Sequence, residues 1–315
     1  MEKFNSDEQY AHFFAGGIAS TVAALLTSPL EVVKTRFQST ANYLPADYRI
    51  THPYTPKLWI LLRRMVRYEG VGSLFKGLSP NIVGVAPTGA LFFAVYGNCK
   101  QFFRDDVGIT DSTLGHCLSA LCGGWVAATV SNPIWFVKTR LQLSQERMSV
   151  SKCVVRIYEA EGVRGFYKGV TASYWGISDT VIHFVIYERL KEMLGDPGYH
   201  GTGEEKVAKY NIFRYLFAAL ISKSISSTLT YPHEVVRTRL REVDSQYTRF
   251  WQSIGKIKRE EGIRGLYGGF MPHFMRQIPS TIIVLCTYET VMHFFRVTRT
   301  KPPSGSVLNP PVTEV

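Results

Sequence analysis

The sequence lacks the cysteine spacing that indicates a disulfide-rich or a metal-binding protein. Its 5 cysteines are spread over 315 residues, and no two of them form a Cys-x-x-Cys pair. Disulfide frameworks and zinc sites are recognised by close, regular cysteine spacing. We therefore expect neither a disulfide framework nor a metal site.

Motifs of catalysis are also missing. No P-loop and no Gly-x-Gly-x-x-Gly segment precedes a predicted helix, and no nucleophile–base constellation is visible. The sequence therefore predicts no catalytic residue and no cofactor, and we do not expect an enzyme. Residues 1–10 lack both an apolar core and an Arg-rich amphipathic pattern, so we expect no cleavable targeting segment.

Acidic residues are in the minority. The chain has 36 Lys and Arg against 25 Asp and Glu, which gives a net charge of +11. Such an excess favours an anionic lipid, an anionic solute or a nucleic acid as partner. Because the chain has no low-complexity basic tail, nucleic acid is the least favoured of the three, and we expect none.

Charge is absent altogether from two long stretches. Residues 13–30 and 78–99 contain no Asp, Glu, Lys or Arg. An apolar helix of about 20 residues is long enough to cross a bilayer. The mean hydropathy of the whole chain is only −0.02, so the apolar residues are clustered rather than evenly spread. We predict membrane-spanning helices.

An eight-residue pattern, which we call the octad, occurs three times and organises the chain. It begins at Pro29, Pro133 and Pro232, and its first copy reads Pro-Leu-Glu-Val-Val-Lys-Thr-Arg. Self-similarity at a fixed period sets the architecture of a chain. We predict an all-α membrane protein of three repeats, each with two long helices around a short amphipathic one. The predicted long helices are 9–38, 81–103, 112–143, 171–194, 209–241 and 270–295.

A second pattern follows each octad. In the first repeat Glu69-Gly70 leads to Phe75-Lys76-Gly77, and similar strings begin at Glu161 and Glu261. The segment before each Glu-Gly pair mixes apolar and basic residues at helical spacing, which predicts a helix at the membrane surface. An insertion at 43–56 is predicted to be a loop. The predicted repeats are residues 10–105, 112–195 and 209–297, followed by a disordered tail at 298–315.

Three octads that alternate with three Glu-Gly patterns resemble the mitochondrial carrier (solute carrier 25) family. The resemblance implies six transmembrane helices in three pseudo-threefold repeats, a multi-pass location in the mitochondrial inner membrane, and both termini in the intermembrane space. It also implies that the protein moves a solute by alternating access. We expect a monomer.

Three features narrow the resemblance. Trp135 replaces the octad acid of the second repeat, which is similar to the branch that carries pyrimidine nucleotides, NAD, folate or flavin nucleotides. Residues 172–184 and 231–242 look most like the pyrimidine nucleotide carriers, whereas Gly89 stands where that subgroup has a basic residue. The expected function is exchange of pyrimidine nucleotide di- and triphosphates of the UTP, CTP or TTP type, in ribo or deoxy form. The alternatives are a carrier of NAD, flavin nucleotide or folate, and a non-transporting adaptor with the same fold.

The octads predict a gate on the matrix side. A proline kinks each odd helix, and the octad acid and base lie on one helix face because they are three residues apart. The resemblance implies that Glu31 pairs with Lys138 and that Glu234 pairs with Lys34. The matrix-gate residues expected from the resemblance are Glu31, Lys34, Gln38, Trp135, Lys138, Gln142, Glu234 and Arg237.

The second octad is irregular. Trp135 leaves Arg237 without an acid, which would allow a cation–π contact between the two. Gln38 and Gln142 match the bracing glutamines of the family, whereas the third copy has Arg241 at that position.

A companion pattern near the end of each even helix predicts a second gate, on the cytoplasmic side. Pairing each base with the acid of the next repeat gives Lys100 with Glu188 and Lys191 with Glu289. The third slot has lost both partners together, as expected if a lone buried charge is costly.

Ionisable residues inside membrane spans are costly, so they are candidates for solute binding. The family resemblance implies that Trp175, Gly176 and Arg276 lie at substrate contact points. Arg276 has the fork geometry for phosphate, Trp175 offers a flat face to a nucleobase, and Gly176 leaves room beside it. The alternatives are that Trp175 packs against lipid, that His183 and His273 are packing residues, and that Asp179 holds a base. The predicted solute site comprises Trp175, Gly176, Asp179, His183, Lys223 and Arg276.

The start of two even helices predicts a lipid site. Lys76-Gly77 and Lys168-Gly169 precede these helices, whose N-terminal amides suit a phosphate. The family uses such positions for cardiolipin; the alternative is that the lysines extend to the membrane interface. The expected partners are therefore nucleotide substrates and a cardiolipin-containing membrane.

Overall fold

The computed structural model describes residues 6–41, 43, 57–108, 112–193 and 205–300. Within these ranges the chain forms helices and no β-strand, which confirms the predicted all-α fold class. The helices are α1 Ser6–Gln38, α2 Lys57–Glu69, α3 Leu78–Asp105, α4 Ser112–Leu143, α5 Val150–Gly165, α6 Val170–Met193, α7 Glu205–Thr230, α8 Pro232–Leu240, α9 Phe250–Leu266 and α10 Phe270–Thr300. A 3₁₀ helix at Val71–Phe75 leads into α3.

The long helices follow the sequence prediction with one break. Pro29 and Pro133 lie inside continuous helices, whereas the predicted helix 209–241 is divided between α7 and α8 at Pro232. Proline has no backbone N–H to donate and is well suited to the first position of a helix, so a new helix begins there. Residues 44–56 of the predicted loop at 43–56, and residues 301–315 of the predicted tail at 298–315, lie outside the described residues. Residues 298–300, which were predicted to be disordered, belong to α10.

Four helices in the described ranges are long and apolar enough to cross a membrane: Phe14–Gln38, Val71–Asp105 (which includes the 3₁₀ turn), Leu114–Leu143 and Phe270–Phe295. The helices α6 and α7 have the required length, but ionisable side chains such as Asp179 and Lys223 lower their hydropathy. Large apolar side chains are exposed to the surroundings, including Phe93 at 70% and Leu229 at 63%. Such exposure fits contact with lipid.

Two compact units make up the described chain. Residues 27–278 form one, and the residues before 27 together with those after 278 form the other. In the latter, Ala15, Ala19 and Ala23 are buried at every fourth position of α1, which places them on one helix face. Met292 of α10 is also buried there.

The unit of residues 27–278 contains one apolar cluster for each repeat. In the first repeat Val32 and Val33 of the octad pack against Leu61 and Met65 of α2. The second cluster joins octad residues of α4 to α5, and the third joins α8 to α9. The apolar residues of the octad therefore bind each surface helix to the odd helix of its own repeat.

An ion pair joins the two sequence patterns within each repeat. The last base of the first octad, Arg36, lies 2.5 Å from Glu69 of the Glu-Gly pair. Arg140 pairs with Glu161 and Arg239 with Glu261 in the same way. The glycine after each acid has a positive φ, between 64° and 82°. Since side chains are strained in that region, the turn requires glycine.

Candidate functional site

Side chains of the three octads meet at the interfaces between repeats. We call this set, which comprises the predicted matrix-gate residues together with Arg241, the inter-repeat network. At the interface of repeats 1 and 2, Glu31 forms an ion pair with Lys138. Lys138 also donates to Asn81 Oδ1 over 2.8 Å, and Thr35 donates to Gln142 Oε1 over 2.8 Å. The expected pair and its expected bracing glutamine therefore lie together here.

The interface of repeats 3 and 1 has a similar arrangement. Lys34 Nζ lies 2.5 Å from Glu234 Oε2, and the two side chains are only 10% and 17% exposed. Gln38 donates to Tyr231 and to Glu234 over 3.1 and 3.3 Å, and it accepts from Thr238 over 2.8 Å. The structure thus contains both expected ion pairs; their role as a gate stays a prediction.

The interface of repeats 2 and 3 is held differently. Arg241, which is 4% exposed, donates to Asn132 Oδ1 over 2.7 Å, to the Trp135 carbonyl over 3.2 Å and to Thr139 Oγ1 over 3.3 Å. These partners are all neutral. The arginine in the position of the third glutamine therefore links the two repeats through uncharged acceptors.

The cation–π contact that Trp135 would allow with Arg237 does not occur among the described residues. In the described part of the chain, the cation over the Trp135 ring is Lys138, with Nζ 5.1 Å from the ring centre. The indole N–H donates to Ser131 over 3.0 Å on the same helix. Arg237 instead has Nη2 3.9 Å from Glu234 Oε1. The ring is turned towards its own helix, where a nearby lysine takes the place expected for Arg237.

Glycines at the start of the even helices pack against the next repeat. A Cβ on Gly77 would lie 3.0 Å from the Lys138 carbonyl, and one on Gly269 would lie 2.8 Å from the Lys34 carbonyl. Gly169 approaches the Arg237 carbonyl in the same way, at 3.3 Å. These contacts explain why each copy of the pattern ends in glycine.

A cavity of about 660 Å³ adjoins the network within the unit of residues 27–278. Four of the predicted solute-site residues line it, namely Gly176, Asp179, Lys223 and Arg276. Trp175 and His183 do not line it. The structure therefore brings most of the predicted site together but places one aromatic ring and one imidazole elsewhere.

Asp179 and Lys223 form an ion pair between α6 and α7 in this cavity. Asp179 Oδ1 also accepts hydrogen bonds from Ser226 and Thr230, over 2.8 and 3.2 Å. The Lys223 side chain remains 38% exposed. This arrangement agrees with the alternative in which Asp179 holds a base, and it presents the lysine to the cavity.

Trp175 lies outside the cavity, contrary to its predicted contact with a nucleobase. Its ring stacks on Phe250, with centroids 5.6 Å apart and an interplanar angle of 9°, and meets Trp251 edge-on at 5.0 Å. Trp175 and Asp179 are one helical turn apart, but α9 packs against the side of α6 on which Trp175 lies. The ring therefore joins α6 to the surface helix of the third repeat.

Three histidines surround the predicted site. His183 lies 3.0 Å from Ser222 Oγ, which agrees with its packing alternative. His273 lines the cavity, 3.8 Å from Glu234 Oε2. His233, which the sequence analysis missed, also lines it, and a Cβ on Gly176 would lie 2.7 Å from its Nε2. Gly176 is therefore needed to admit the imidazole of His233.

Asn81, Asn132 and Arg241 were also missed as site residues. The equivalent positions of the other two repeats have different residue types, so no repeated residue pointed to them. Arg241 could have been found from one clue, because it is a charged residue at a position where the other repeats have glutamine. No cluster of three His, Cys, Asp or Glu that could hold a metal occurs in the described ranges.

Comparison with known proteins identifies the family. The family described as "Mitochondrial carrier protein" matches residues 5–107, 110–198 and 208–298, which together make up most of the chain. The chain belongs to the mitochondrial carrier family. The resemblance drawn from the repeated motifs is thereby confirmed.

Individual carriers are similar over nearly their whole length. Solute carrier family 25 member 36 of Mus musculus is 45% identical over 300 residues, which cover 90% of this chain and 96% of that protein. Solute carrier family 25 member 33 of Homo sapiens is 42% identical over 303 residues, with coverages of 90% and 94%. Mitochondrial carrier protein rim2 of Schizosaccharomyces pombe is 36% identical over 314 residues, with coverages of 90% and 89%.

One of the two ion pairs predicted for the second gate, between Lys100 and Glu188, is not formed in the structure. Lys100 and Glu188 are both in the described part of the chain, and no ion pair joins them. Lys191 has its ammonium 5.8 Å from the centre of the Tyr215 ring. Glu289 belongs to the other compact unit, so its pairing with Lys191 stays a prediction. The carrier thus has ion pairs at the inter-repeat network but not at Lys100.

Protein atoms surround the ammonium group of Lys76, and its predicted lipid contact stays a prediction. Lys76 Nζ lies 2.7 Å from Glu69 and from the Ser144 carbonyl, and its side chain is 10% exposed. Burial raises the pKa of the Glu69 carboxyl, but hydrogen bonds from Arg36 and Lys76 outweigh burial and hold that pKa below its ordinary value. Lys168 lies 2.6 Å from Glu161 yet is 47% exposed, so its lipid contact stays a prediction.

Proposed function

We propose that this carrier exchanges pyrimidine nucleotides across the mitochondrial inner membrane by alternating access. The observation that carries the proposal is the charge of the cavity that adjoins the inter-repeat network. Among the described residues that line it, basic side chains outnumber acidic ones by six to three. The bases are Lys34, Lys138, Lys223, Arg237, Arg241 and Arg276, and the acids are Glu31, Asp179 and Glu234.

An excess of cations in a cavity within a membrane protein favours a polyanionic solute. Uncompensated charge is costly at that depth, and a bound phosphate chain would supply the missing negative charge. Arginine is suited to this contact because its guanidinium group binds two phosphate oxygens at once. Arg276 is the strongest candidate, since it lines the cavity and its Nε is buried without a hydrogen-bond partner among the described residues.

The base of the nucleotide needs a contact other than Trp175. Phe92 and Gly89 both line the cavity and lie one turn apart on α3. A Cβ on Gly89 would meet nothing within 4 Å, so there is open space at Gly89, one helical turn from Phe92. An aromatic ring next to open space suits the stacking of a flat nucleobase. Gly89 therefore leaves space for the nucleobase, although it departs from the pattern expected of the subgroup.

Alternating access requires that the inter-repeat network opens during transport. Two ion pairs and a neutral link hold it in this state, and a substrate must bind the open state more tightly to shift the equilibrium. In the proposed setting the carrier is a monomer that crosses the inner membrane several times, with both termini in the intermembrane space. Cardiolipin would bind at the starts of the even helices, and the protein would catalyse no chemical reaction.

Reconstitution tests the function directly. Purified carrier in cardiolipin-containing vesicles loaded with UTP should take up labelled UTP and CTP from outside, and unloaded vesicles should take up little. Arg276→Ala should abolish the exchange, whereas Arg156→Ala, at a 64% exposed arginine, should not. The proposal fails if wild-type carrier exchanges neither UTP nor CTP. Preferential exchange of NAD, a flavin nucleotide or folate would also contradict it.

A further inference from the structure

Arg237 occupies an unusual position for a base of the octad. Its equivalents, Lys34 and Lys138, each form a close ion pair with an acid of another repeat. Arg237 has no such acid, because the second octad has Trp135 in its place. The Arg237 side chain donates no hydrogen bond to any other described residue, and its nearest carboxylate oxygen is Glu234 Oε1 at 3.9 Å.

Glu234 forms no close ion pair with Arg237, because its shorter contacts are made by Oε2 to other residues. Oε2 lies 2.5 Å from Lys34 and 3.3 Å from Gln38. It also lies 3.8 Å from His273. The guanidinium group of Arg237 therefore has only a long contact with a carboxylate that is engaged elsewhere, and 34% of its side chain is exposed.

Arg276 is placed in the same way at the other ion pair. Its Nη1 lies 4.0 Å from Glu31 Oε2, while Oε1 of the same carboxylate pairs with Lys138, and 27% of its side chain is exposed. Both arginines line the large cavity. Each is also near enough to Lys34 and Lys138 to repel them electrostatically. Two guanidinium groups without a close carboxylate partner therefore line the cavity. Arg237 lies beside the pair of Lys34 and Glu234, and Arg276 lies beside the pair of Glu31 and Lys138.

Arg237 is not needed to hold repeats 2 and 3 together. Arg241 makes that connection through Asn132, Thr139 and the Trp135 carbonyl, as described above. With the link formed by a residue one turn further along, the guanidinium group of Arg237 is left facing the cavity. Arg241 thus has the structural role at this interface, and Arg237 supplies a positive charge to the cavity.

We propose that Arg237, together with Arg276, binds the terminal phosphates of the nucleotide, and that Trp135 makes this possible by leaving the octad without a third acid. The proposal rests on the function proposed above and adds a residue that determines specificity. It predicts that the carrier distinguishes nucleotides by the length of their phosphate chain. A nucleoside triphosphate reaches both arginines, and a monophosphate reaches only Arg276.

The first test removes the charge of Arg237. In reconstituted carrier, Arg237→Gln should raise the KM for UTP by about tenfold or more, since a hydrogen bond to a charged group is lost. The KM for UMP should stay near its wild-type value. Arg237→Lys keeps the charge and should restore part of the preference for UTP. Arg156→Gln, which removes an exposed arginine elsewhere, should change neither KM.

The second test leaves Arg237 in place and supplies the absent acid. Trp135→Glu should pair with Arg237 and produce the same selective rise in the KM for UTP. Trp135→Gln removes the ring without adding charge and should keep the preference for UTP over UMP.

The outcomes separate this inference from the proposed function. If wild-type carrier exchanges UTP but Arg237→Gln raises the KM values for UTP and UMP equally, Arg237 has only a structural role and the inference is overturned. If wild-type carrier exchanges no pyrimidine nucleotide, the proposed function itself fails. If Arg237→Gln does not fold, thermal stabilisation of Trp135→Glu by UTP and by UMP decides. Equal loss of both shifts overturns the inference, and selective loss of the UTP shift supports it.

Discussion

The Lys34 ammonium group lies 2.5 Å from the Glu234 carboxylate and joins the first repeat to the third. Both side chains are largely buried, so neither charge is well hydrated if its partner is removed. The same pairing recurs between Glu31 and Lys138. Repeat 2 has no acid at this position, and a buried arginine completes the set of interfaces.

The pair between Lys34 and Glu234 should be strongly coupled. Lys34→Ala or Glu234→Ala alone should lower the stability by about 3 kcal/mol, because each leaves an unpaired buried charge. Exchanging the two residues in Lys34→Glu with Glu234→Lys should recover much of that loss. Thermal unfolding of the purified variants measures both effects. Equal instability of the single and the exchanged variants would contradict the pairing.

Asp179 and Lys223 should also depend on each other. Asp179→Asn leaves the Lys223 ammonium without its carboxylate, and Lys223→Gln leaves Asp179 as a lone acid, so each should lower the initial rate of nucleotide exchange. The double variant should be more stable than either single variant, because no unpaired charge remains. Its exchange rate should nevertheless stay low if Lys223 binds the solute. A double variant with wild-type exchange would show that the pair has only a structural role.

Trp175 should contribute to stability rather than to nucleotide binding. Trp175→Ala removes its contacts with Phe250 and Trp251, and stacked aromatic pairs contribute about 0.5–1.5 kcal/mol beyond their area burial. The melting temperature should fall while the KM for UTP stays unchanged. Phe92→Ala serves as the comparison and should raise that KM. If the Trp175 variant raises the KM instead, the ring contacts the nucleotide in another state of the carrier.

Gly269 should tolerate no side chain. A Cβ there would approach the Lys34 carbonyl to 2.8 Å, and the residue has a φ of +75°. Gly269→Ala should therefore destabilise the protein by more than about 1 kcal/mol. Gly255 in α9 is a matched control, since a Cβ would meet nothing within 4 Å. Gly255→Ala should stabilise the helix by about 0.5–1 kcal/mol. Circular dichroism melting curves distinguish the two results.

The pH dependence of stability should include a contribution from Glu69. Its pKa is held below the ordinary value of 4.5 by Arg36 and Lys76. A lowered pKa stabilises the folded state above the ordinary value, and this stabilisation is lost as the pH falls through the lowered pKa. Glu69→Gln should therefore unfold at a lower temperature than wild type at pH 7, and the difference should shrink below about pH 4.5.

Glu260 provides the control for this measurement. Its side chain is 52% exposed, and its ion-pair distance to Lys256 is 4.0 Å. Exposed pairs contribute about 0–1 kcal/mol. Glu260→Gln should thus leave the melting temperature nearly unchanged at both pH values. A difference for Glu69→Gln that stays constant with pH would mean that the carboxylate charge is not what stabilises this site.

Much of the fold could be predicted from the sequence because it is repeated. A single octad is a weak signal, but three copies at a regular period predict three equivalent units. Uncharged stretches such as 78–99 add the membrane spans. Even the break at Pro232 follows from proline chemistry, although the sequence did not show why Pro29 and Pro133 lie in continuous helices. The family resemblance, drawn from these repeats, also implied the two ion pairs through Glu31 and Glu234.

The site was less predictable because it departs from symmetry. Trp175 was assigned to the solute site from the family resemblance, but a resemblance does not show which neighbouring helix covers a ring. Lys76 was assigned to lipid from its place before an even helix, and the structure adds protein partners that its sequence position did not indicate, namely Glu69 and two backbone carbonyls. A long flexible side chain has several partners within reach, and only the packed structure selects among them.

The sequence by itself determined the three repeats, the helical class and the residues that carry charge into the membrane. Local patterns suffice for these features, because periodicity and hydropathy act over a turn or a span of one helix. The tertiary structure decided how the three octads, which differ in sequence, contact one another. Arg241 joins repeats 2 and 3 while Arg237 faces the cavity, and that division depends on distances between helices about 100 residues apart in the chain. Such distances are set by packing, which no single segment specifies.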